Sequence, residues 1–335
     1  MDTPMVTVAV PTLQAGDALA DCLRSLERQT FRRFEVVVVD NSGARKAAAE
    51  VGRSACRVIF SESNVGFGAA VNRVFRETKA PYLATLNDDA SAEPNWLDAL
   101  VEAAEANPRA GMFASRVMLG TGMLDSAGML LAADGSSKQR GHGQTAEKFS
   151  AKTQAFFPSG SAALYRRAML DQTGLFDESF FLYCEDTDLG LRARWAGWEC
   201  VYVPRAAVEH RYSHTAGSAS PMKAYYVERN RCCTVVKNFP AGLLLVAPFA
   251  SVVRYFWHAV FLIGGVGKAG EYREAGHDAW MLPFLVLRAH LAAAIRLPAL
   301  LKARKQIAAQ RKITRAEFRA LAKAHAISLR EIASL

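Results

Sequence analysis

Along the first hundred residues, short apolar runs alternate with segments whose apolar residues recur at helical spacing. The runs are rich in β-branched residues and occupy residues 6–10, 34–39, 57–60 and 82–86. Between the first two runs, Leu19, Cys22, Leu23 and Leu26 follow the i, i+3, i+4, i+7 spacing of one helix face. This alternation of strands and helices predicts βαβ units and a mainly parallel sheet, that is, an α/β fold.

Polar residues follow each of the four predicted strands. Thr12 follows the first, Asp40 and Asn41 the second, and Asn-Asp-Asp at 87–89 the fourth. After the third comes Asn-Val-Gly-Phe-Gly at 64–68, a turn whose glycines allow backbone N–H groups to approach a phosphate. Ligands of parallel α/β sheets bind beyond the carboxyl ends of the strands, so we expect a binding site at this edge.

The rest of the chain divides into two parts. Residues 111–203 mix short strands and turns, including a predicted mobile loop at 135–144, and complete the same domain. Pro221 precedes a predicted helix at 222–238, after which the sequence becomes basic and apolar. We therefore predict a catalytic domain at 1–238 and a helical tail at 239–335.

Net charge is concentrated in the tail. Residues 239–335 hold 14 Lys and Arg against five Asp and Glu, a charge of +9, whereas residues 1–238 are neutral. Two stretches without charge, 239–253 and 255–267, adjoin these basic residues. Basic and apolar character together favour the surface of an anionic membrane over nucleic acid. A helical bundle with a solvated Lys/Arg face is the alternative, and a role in homo-oligomerisation is equally open.

Three further features predict where in the cell the protein lies. Arg254, Pro240 and Pro248 interrupt the apolar stretch, which favours helices lying on a membrane over a spanning helix. The six cysteines lack metal-binding spacing and are typical of reduced thiols. The first strand starts close to Met1, so no signal peptide is expected. The prediction is a cytoplasmic protein, peripheral on the inner face of the cell membrane.

Two acidic clusters could carry chemistry. The adjacent carboxylates of Asp88 and Asp89 repel each other unless a cation such as Mg²⁺ or Mn²⁺ lies beside them, although Asn-Asp-Asp is also common in turns. The second cluster, Glu-Asp-Thr-Asp at 185–188, precedes a predicted helix at 189–195. Its acids either complement the helix dipole or provide a general base beside an aromatic segment.

Two further positions are ambiguous from the residues alone. His210 follows a predicted strand at 201–203, and a single His is more often structural than a metal ligand. Gly160 lies in a tight segment that either a ligand approaches closely or a simple turn explains.

Taken in order, these segments resemble the inverting GT-A glycosyltransferases of family 2, and most closely the bacterial rhamnosyltransferase-like branch. The resemblance covers most of residues 5–240. The motifs that carry it are Val-Pro-Thr at 10–12, Val-Asp-Asn-Ser at 39–42, Asn-Val-Gly-Phe-Gly at 64–68, Asn-Asp-Asp at 87–89, Pro-Ser-Gly-Ser at 158–161, Gly-Leu-Phe-Asp-Glu at 174–178, Phe-Leu-Tyr-Cys-Glu-Asp-Thr-Asp-Leu at 181–189, His210 and Tyr-Val-Glu-Arg-Asn at 226–230.

The resemblance implies a Rossmann-like nucleotide-binding domain and a role for each matching residue. Asp186 matches the catalytic base, with Glu185 as the alternative. Asp89 and His210 match ligands of Mg²⁺ or Mn²⁺. The residues expected to bind the nucleotide or diphosphate are Thr12, Asp40, Asn41, Asn64, Gly66, Asn87, Asp88 and Gly160.

The implied reaction is transfer of a sugar, with rhamnose favoured, from a dTDP- or UDP-linked donor to a saccharide or polyprenyl-linked acceptor in cell-surface polysaccharide synthesis. Two departures from the family pattern qualify it. Asn87 replaces the first acid of the metal motif, and residues 191–195 lack the Gln of the processive QxxRW motif, which favours single-sugar transfer. The alternatives are a non-catalytic subunit that binds nucleotide sugars and a nucleotidyltransferase.

Overall fold

The computed structural model describes residues 3–52, 54, 56–211, 220–265 and 267–334, with Lys268 described by its backbone alone. The chain forms two compact units, which are described separately. Unit 1 comprises residues 1–129, 139–181 and 198–215, and unit 2 comprises residues 130–138, 182–197 and 216–335. The division into a catalytic domain at 1–238 and a helical tail at 239–335 stays a prediction.

The described residues form one large sheet and one short hairpin. The strands are β1 (Val6–Thr12), β2 (Phe34–Asp40), β3 (Arg57–Phe60), β4 (Tyr82–Leu86), β5 (Ala90–Ala92), β6 (Ala110–Leu119), β7 (Leu124–Ser126), β8 (Met129–Leu131), β9 (Ser137–Gln139), β10 (Thr153–Gln154), β11 (Ala162–Arg166) and β12 (Glu199–His210). The hairpin pairs β8 with β9.

The large sheet runs in the order β10-β12-β6-β11-β4-β1-β2-β3 and belongs to unit 1. Strands β4, β1, β2 and β3 are parallel neighbours, as the sequence pattern predicts. Strand β11 is antiparallel to both β4 and β6, whereas β12 is parallel to β6 with a bulge between Val203 and Ala207. The sheet is therefore mixed but mostly parallel.

Buried apolar side chains on both faces hold the sheet in place. Val6, Val8 and Val10 on one face of β1 and Ala9 on the other are fully buried, because helices cover a central parallel strand on both sides. The helices of unit 1 are α1 (Asp17–Glu27), α2 (Ala48–Val51), α3 (Phe67–Glu77), α4 (Trp96–Ala106) and α5 (Arg167–Thr173).

Unit 2 is mainly helical. Its helices are α6 (Glu185–Trp195), α7 (Pro221–Asn238), α8 (Ala241–Ile263), α9 (Gly267–Glu274), α10 (Leu282–Ile295), α11 (Leu297–Ala309), α12 (Arg315–Ala324) and α13 (Leu329–Ser334). Trp195 of α6 stacks on Phe318 of α12 with ring centroids 4.1 Å apart, and its indole N–H donates to the Asn238 carbonyl. The helical C-terminal region thus packs on an element from the middle of the chain.

Among the described residues, α8 is long and apolar enough to cross a membrane, and 22% of its most apolar window is buried. Helices 279–295 and 297–309 meet the same criteria only together, as a pair bent by 63°. Length and composition of this kind are shared with core helices of soluble proteins, so they do not establish a span.

Most predicted elements are present, with some local differences. The four predicted strands are confirmed, and β1 and β2 extend one or two residues further. The predicted loop at 135–144 contains β9, whose polar sequence (Ser-Lys-Gln) lacks the alternation that marks a strand. Helix α6 starts at Glu185 rather than 189, because its three acids favour the first turn of a helix.

Candidate functional site

The candidate site of unit 1 lies where several strands end. Thr12 closes β1, Asp40 closes β2, and His210 closes β12. The Asn87–Asp89 turn follows β4 directly, and the Ala90 N–H donates to the Asn87 carbonyl across it. The sheet therefore brings together polar groups that lie far apart in sequence.

Asp89 and His210 form the centre of this site. The Asp89 carboxylate oxygen Oδ1 lies 3.0 Å from His210 Nε2, and the Asn87 side-chain amide lies 3.2 Å from the same nitrogen. Both the His210 and Asp89 side chains are buried, at 8% and 9% exposed. The structure thus brings together the two residues that the resemblance implies as metal ligands.

The neighbouring carboxylate, Asp88, turns towards β1. Thr12 Oγ1 donates a hydrogen bond of 2.5 Å to Asp88 Oδ2, and the same hydroxyl oxygen accepts from the Ala15 N–H. Burial raises the pKa of Asp88, and the charge of Asp89 raises it further against the lowering effect of the Thr12 bond. Two carboxylates held side by side in this way are stabilised by an added cation.

Sequence reasoning missed two residues of this site, Asp125 and His142. Asp125 is 2% exposed in strand β7, and its carboxylate accepts a 2.9 Å hydrogen bond from His142 Nδ1. Its other oxygen lies 3.7 Å from His210 Nδ1, within ion-pair distance. Asp125 lies in a three-residue strand, Leu-Asp-Ser, which has no pattern that marks it in the sequence.

His210 is therefore flanked by a carboxylate on each ring nitrogen. Burial by itself lowers the pKa of His210, but hydrogen bonding to Asp125 and Asp89 and their charges outweigh it and raise the pKa to about 9. An imidazole whose Nδ1 side faces a carboxylate directs Nε2 towards a metal, as in many protein metal sites. Asp125 is placed to set this orientation.

The donor set fits a divalent cation. Two ligands at about 2.1 Å from one ion and at right angles to each other are separated by about 3 Å, which is the spacing of Asp89 Oδ1 and His210 Nε2. One carboxylate, one imidazole and an adjacent amide leave room for oxygens of a diphosphate. The residues present therefore fit the metal that the family resemblance implies.

The predicted nucleotide-binding residues form an adjoining group. Each carboxylate oxygen of Asp40 accepts one backbone N–H, from Ser42 and Ala47 at 2.8 Å, which shapes the loop after β2. The Asn41 side-chain amide donates to the Gly66 carbonyl at 3.3 Å, and its oxygen accepts from the Ser61 hydroxyl. Asn41 thereby connects the ends of β2 and β3 to the turn before α3.

Gly66 needs to be glycine for two reasons. Its φ of 85° lies in the left-handed region, and a Cβ atom there would meet the Phe181 carbonyl oxygen at 2.1 Å. The Asn64 side chain accepts from the Gly66 N–H at 2.9 Å and closes this turn. Helix α3 begins at the next residue, Phe67, whose N–H donates to the same Phe181 carbonyl at 3.1 Å.

Gly160 lies beside the Asn87 turn. The carbonyl of its neighbour Ser161 accepts the Asn87 N–H at 2.9 Å, and Gly160 itself is buried. The segment before β11 thus borders the same strand end as Asp88 and Asp89.

Asp186 belongs to unit 2, in the first turn of α6. One of its oxygens accepts the Thr187 N–H at 2.6 Å. The adjacent Glu185 is buried, and burial followed by the charge of Asp186 raises the pKa of Glu185 to about 8. Near pH 7 Glu185 therefore holds a proton, which makes it the weaker candidate for a general base.

The third acid of this cluster, Asp188, is structural. Its fully buried carboxylate accepts hydrogen bonds from Arg192 at 2.9 Å and from Lys237 and Asn238 at 2.8 Å. The charges of Lys237 and Arg192 outweigh burial and lower the pKa of Asp188 to about 2. Asp188 therefore holds α6 to α7 through these buried contacts.

Comparisons with known proteins agree with this geometry. A sequence profile for glycosyl transferase family 2 matches residues 7–174. The chain is 31% identical over 253 residues to the N-acetylglucosaminyl-diphospho-decaprenol L-rhamnosyltransferase of Mycobacterium tuberculosis, a match that covers 67% of this chain and 82% of the relative. The O-antigen biosynthesis protein RfbC of Myxococcus xanthus is 25% identical over 245 residues, which are 67% of this chain and 19% of that protein.

Solved structures share the fold at low sequence identity. GalNAc-T7, solved with UDP, GalNAc and Mn²⁺, superposes with a TM-score of 0.57 at 14% identity, over 70% of this chain and 48% of that one. TarS 1–349 of S. aureus superposes with a TM-score of 0.50 at 14% identity, over 95% and 90% of the two chains. With the matched profile and the 31% identical relative, these structures show that the chain is a GT-A glycosyltransferase of glycosyl transferase family 2.

Proposed function

We propose that this enzyme transfers a sugar from a nucleoside diphosphate to a hydroxyl of a lipid-linked saccharide, with inversion at the anomeric carbon. The observation that carries the proposal is the buried Asp89–His210 pair, with its 3.0 Å spacing, beside the strand ends that carry the nucleotide-binding motifs. The mycobacterial relative, named as an L-rhamnosyltransferase for a decaprenol-linked acceptor, favours rhamnose and a polyprenyl-linked acceptor. The family resemblance favours dTDP as the carrier of the rhamnose. A UDP-linked hexose is the alternative donor.

Asp89 and His210 are the proposed metal ligands, with Asn87 and Asp88 beside them. Bound there, a divalent cation supplies positive charge that stabilises the departing nucleoside diphosphate. We favour Mn²⁺ over Mg²⁺, because imidazole nitrogen is a poorer ligand for the harder Mg²⁺. Asp125 keeps the His210 ring oriented through its Nδ1 side.

The nucleotide is proposed to lie against the loops after β1, β2 and β3. Each Asp40 oxygen already accepts one backbone N–H and keeps a second lone pair, which an N–H of the base can use. Thr12 and Asn41 border that position, while Asn64 and Gly66 line the diphosphate at the N-terminus of α3. Gly160 lets the chain approach closely without a side chain.

Asp186 is the proposed general base. It accepts the proton of the acceptor hydroxyl while that oxygen attacks the anomeric carbon from the face opposite the leaving group. One displacement of this kind inverts the anomeric configuration. Asp186 rather than Glu185 takes this role because the raised pKa of Glu185 keeps it protonated near neutral pH.

The proposed location is the inner face of the cell membrane, where a polyprenyl-linked acceptor is embedded. The +9 charge of residues 239–335 supports this location through attraction to anionic lipids. Membership of glycosyl transferase family 2 decides against the nucleotidyltransferase alternative. The non-catalytic alternative is decided by assay for sugar transfer.

The test is thermal stability against UDP, dTDP, GDP and ADP, each with and without Mn²⁺. A ligand that binds the native state raises the unfolding midpoint, by a free energy of RT ln(1 + [L]/Kd). We expect a Mn²⁺-dependent shift for dTDP or UDP that disappears in Asp89→Ala. The control Glu105→Ala removes an exposed carboxylate of the same unit and should retain the shift. No metal-dependent shift with any nucleotide, in folded protein, would contradict the proposed donor site.

A further inference from the structure

The exposed large apolar side chains of the described residues are confined to unit 2. Unit 1 buries its large apolar residues, as a soluble domain does. Those that are exposed are Met222, Leu245, Val246, Phe249, Val252, Val253, Phe256, Val260, Ile263, Trp280, Phe284, Leu287, Leu291, Ile295, Leu297 and Leu301. Soluble monomers rarely expose apolar side chains in such concentration, and where they do the surface usually binds a partner.

On helix α8 these side chains form one continuous stripe. Leu245, Phe249, Val252, Phe256 and Ile263 are 60–86% exposed and recur every three, four or seven positions, which places them on one face. The opposite face, with Ala247, Ala250, Ser251 and Arg254, is buried. The helix thus turns its small and polar residues inward and its large apolar residues outward, the reverse of an ordinary surface helix.

Helix α10 repeats this arrangement. Phe284, Leu287, Leu291 and Ile295 are 57–82% exposed at spacings of three and four, while Ala289 and Ala293 on the other side are buried. Two helices of one unit therefore present their apolar faces outward. We call the two sets of outward side chains on α8 and α10 the apolar stripes.

Polar contacts, which are buried on α8 and half-exposed on α10, hold both helices in this orientation. Glu228 of α7 accepts hydrogen bonds from Arg254 of α8 at 2.6 Å and from His290 of α10 at 2.9 Å. Arg254 also donates to Asp134 at 2.6 Å, and Tyr255 of α8 contacts Glu228 and His290. Rotating α8 to bury its stripe would break the buried ion pairs of Arg254, at a high cost in stability. Rotating α10 would break the contact between the half-exposed His290 and Glu228.

The same contacts distinguish a helix that lies on a membrane from one that crosses it. Arg254 is near the middle of the 23-residue helix α8, and its partners Asp134 and Glu228 are themselves buried charged groups. If α8 crossed a bilayer, this cluster of charges would have to enter the hydrocarbon, where isolated charges are strongly disfavoured. A helix lying in the interface keeps the cluster on the protein side and only the stripe in lipid.

The net charge of residues 239–335 indicates which partner binds the apolar stripes. Residues 239–335 carry a net +9, and Arg288, Lys302 and Lys305 among them are exposed. An apolar face accompanied by excess positive charge matches a bilayer with anionic headgroups, since the two attractions together give lasting attachment. A second copy of this chain would bring another +9 to the same surface, which opposes self-association there.

We propose that the apolar stripes are the docking surface for an anionic lipid bilayer, with α8 and α10 lying in the membrane plane. The proposal deepens the proposed function and rests on it for its purpose, because a lipid-linked acceptor is reached only at a membrane. The surface itself is argued from unit 2 alone.

The first experiment is co-sedimentation of the full chain with vesicles of phosphatidylcholine, alone or with phosphatidylglycerol. Strong binding is expected only with phosphatidylglycerol, and high salt should weaken it. The quadruple variant carries Leu245→Gln, Phe249→Gln, Leu287→Gln and Leu291→Gln. Its affinity for the vesicles should be lower than that of wild type by about a hundredfold or more. The control Met222→Gln removes an exposed apolar side chain of α7 outside the stripes and should bind like wild type.

Folding of the quadruple variant is checked by its thermal midpoint, which should stay within a few degrees because the four side chains are mostly exposed. Equal vesicle binding by wild type and the quadruple variant would overturn the proposal. A wild-type dimer that becomes monomeric in this variant, with no vesicle binding by either, would overturn it in favour of self-association.

The second experiment distinguishes lying from spanning. Extraction of membranes with alkaline carbonate should release the chain, since it removes proteins bound at the surface and leaves spanning proteins in place. Retention in the membrane pellet would overturn the in-plane arrangement.

Failure of this proposal is separable from failure of the proposed function. Mn²⁺-dependent nucleotide binding is measured without vesicles as a shift of the thermal midpoint. This shift should be the same in wild type and in the quadruple variant. Vesicle binding without nucleotide binding would reject the donor site and retain the docking surface. Nucleotide binding without vesicle binding would do the opposite.

Discussion

The two units use buried carboxylates in opposite ways. In unit 1, Asp89 and Asp125 pair with the imidazole of His210, Asp125 also pairs with that of His142, and Asp88 accepts a hydrogen bond from the Thr12 hydroxyl. An imidazole carries positive charge only when it is protonated. In unit 2, Asp188 is bonded by both Arg192 and Lys237, which carry permanent charge. The difference indicates which carboxylates can accept an added cation and which serve to hold helices together.

A cluster in unit 2 shows why proximity of ligand-type side chains is insufficient. Glu228, Cys232 and His290 place ligand atoms within 4.8 Å of one another, close enough to hold a metal ion. Glu228, however, already forms ion pairs with Arg231 and Arg254. Two guanidinium groups satisfy the carboxylate and repel a divalent cation, so we assign this cluster a structural role.

The largest effect is expected at Asp186, the carboxylate that we assign to proton transfer. Asp186→Asn should lower kcat by about 10²–10⁴ while leaving nucleotide affinity unchanged, because a general base acts in the transition state. The measurement is steady-state sugar transfer with parallel nucleotide binding. Glu185→Gln is the matched control and should cost far less, since Glu185 is already protonated at neutral pH. A larger loss in Glu185→Gln would reverse the assignment.

A large loss of stability is expected at Asp188. Asp188→Ala should lower the free energy of unfolding by about 3–5 kcal/mol, because it leaves Arg192 and Lys237 buried without a counter-charge. Urea unfolding measures this change. Glu102→Ala, which breaks an ion pair whose side chains are both 66% exposed, is the control and should cost about 0–1 kcal/mol. Similar values for the two variants would show that Asp188 is not structural.

A smaller effect is expected at Asp125, on metal affinity rather than on stability alone. Asp125→Asn should weaken Mn²⁺ binding about 10–100-fold, because the amide no longer holds His210 Nδ1–H as an anion does. Titration calorimetry with Mn²⁺ and nucleotide measures it. Asp188→Asn should leave the Mn²⁺ affinity unchanged. An unaltered Mn²⁺ affinity in Asp125→Asn would remove the orienting role of this residue.

The smallest effect concerns pH. The folded-state pKa of Asp188, about 2, is below its ordinary value of 3.8, so its contribution to stability is present above pH 4 and is lost as pH falls towards 2. The loss is about 2 kcal/mol at 1.36 kcal/mol per pKa unit. The stability difference between wild type and Asp188→Asn, measured by urea unfolding, should therefore shrink between pH 4 and pH 2. A constant difference over this range would contradict the lowered pKa.

Sequence pattern was sufficient for the parallel half of the sheet. Strands β3 and β4 have the predicted bounds, because their apolar runs are short and end at polar turns. The antiparallel insertion of β11 between β4 and β6 was not predictable, since the direction of a strand leaves no trace in its own residues. The length of β12 was also missed, because Pro204 and Arg205 interrupt its pattern and a bulge absorbs them.

The candidate site divides in the same way. Residues within contiguous motifs, such as Asp89 and Asp186, could be predicted as candidates because the motif supplies their context. Asp125 was not, since it lies in a three-residue strand with no motif around it. Its importance depends on contacts with His142 and His210, which are 17 and 85 positions away.

The sequence by itself determined the properties that depend on neighbouring residues. These are the alternation of strands and helices, the polar strand ends, and the basic, apolar tail. What only the tertiary structure decided is the partner of each charged group. Asp188 meets Lys237 49 positions away, and Asn87 meets His210 123 positions away. Since the role of a buried carboxylate depends on the charge that compensates it, the fold rather than the motif separates the proposed metal site from the structural ion pairs.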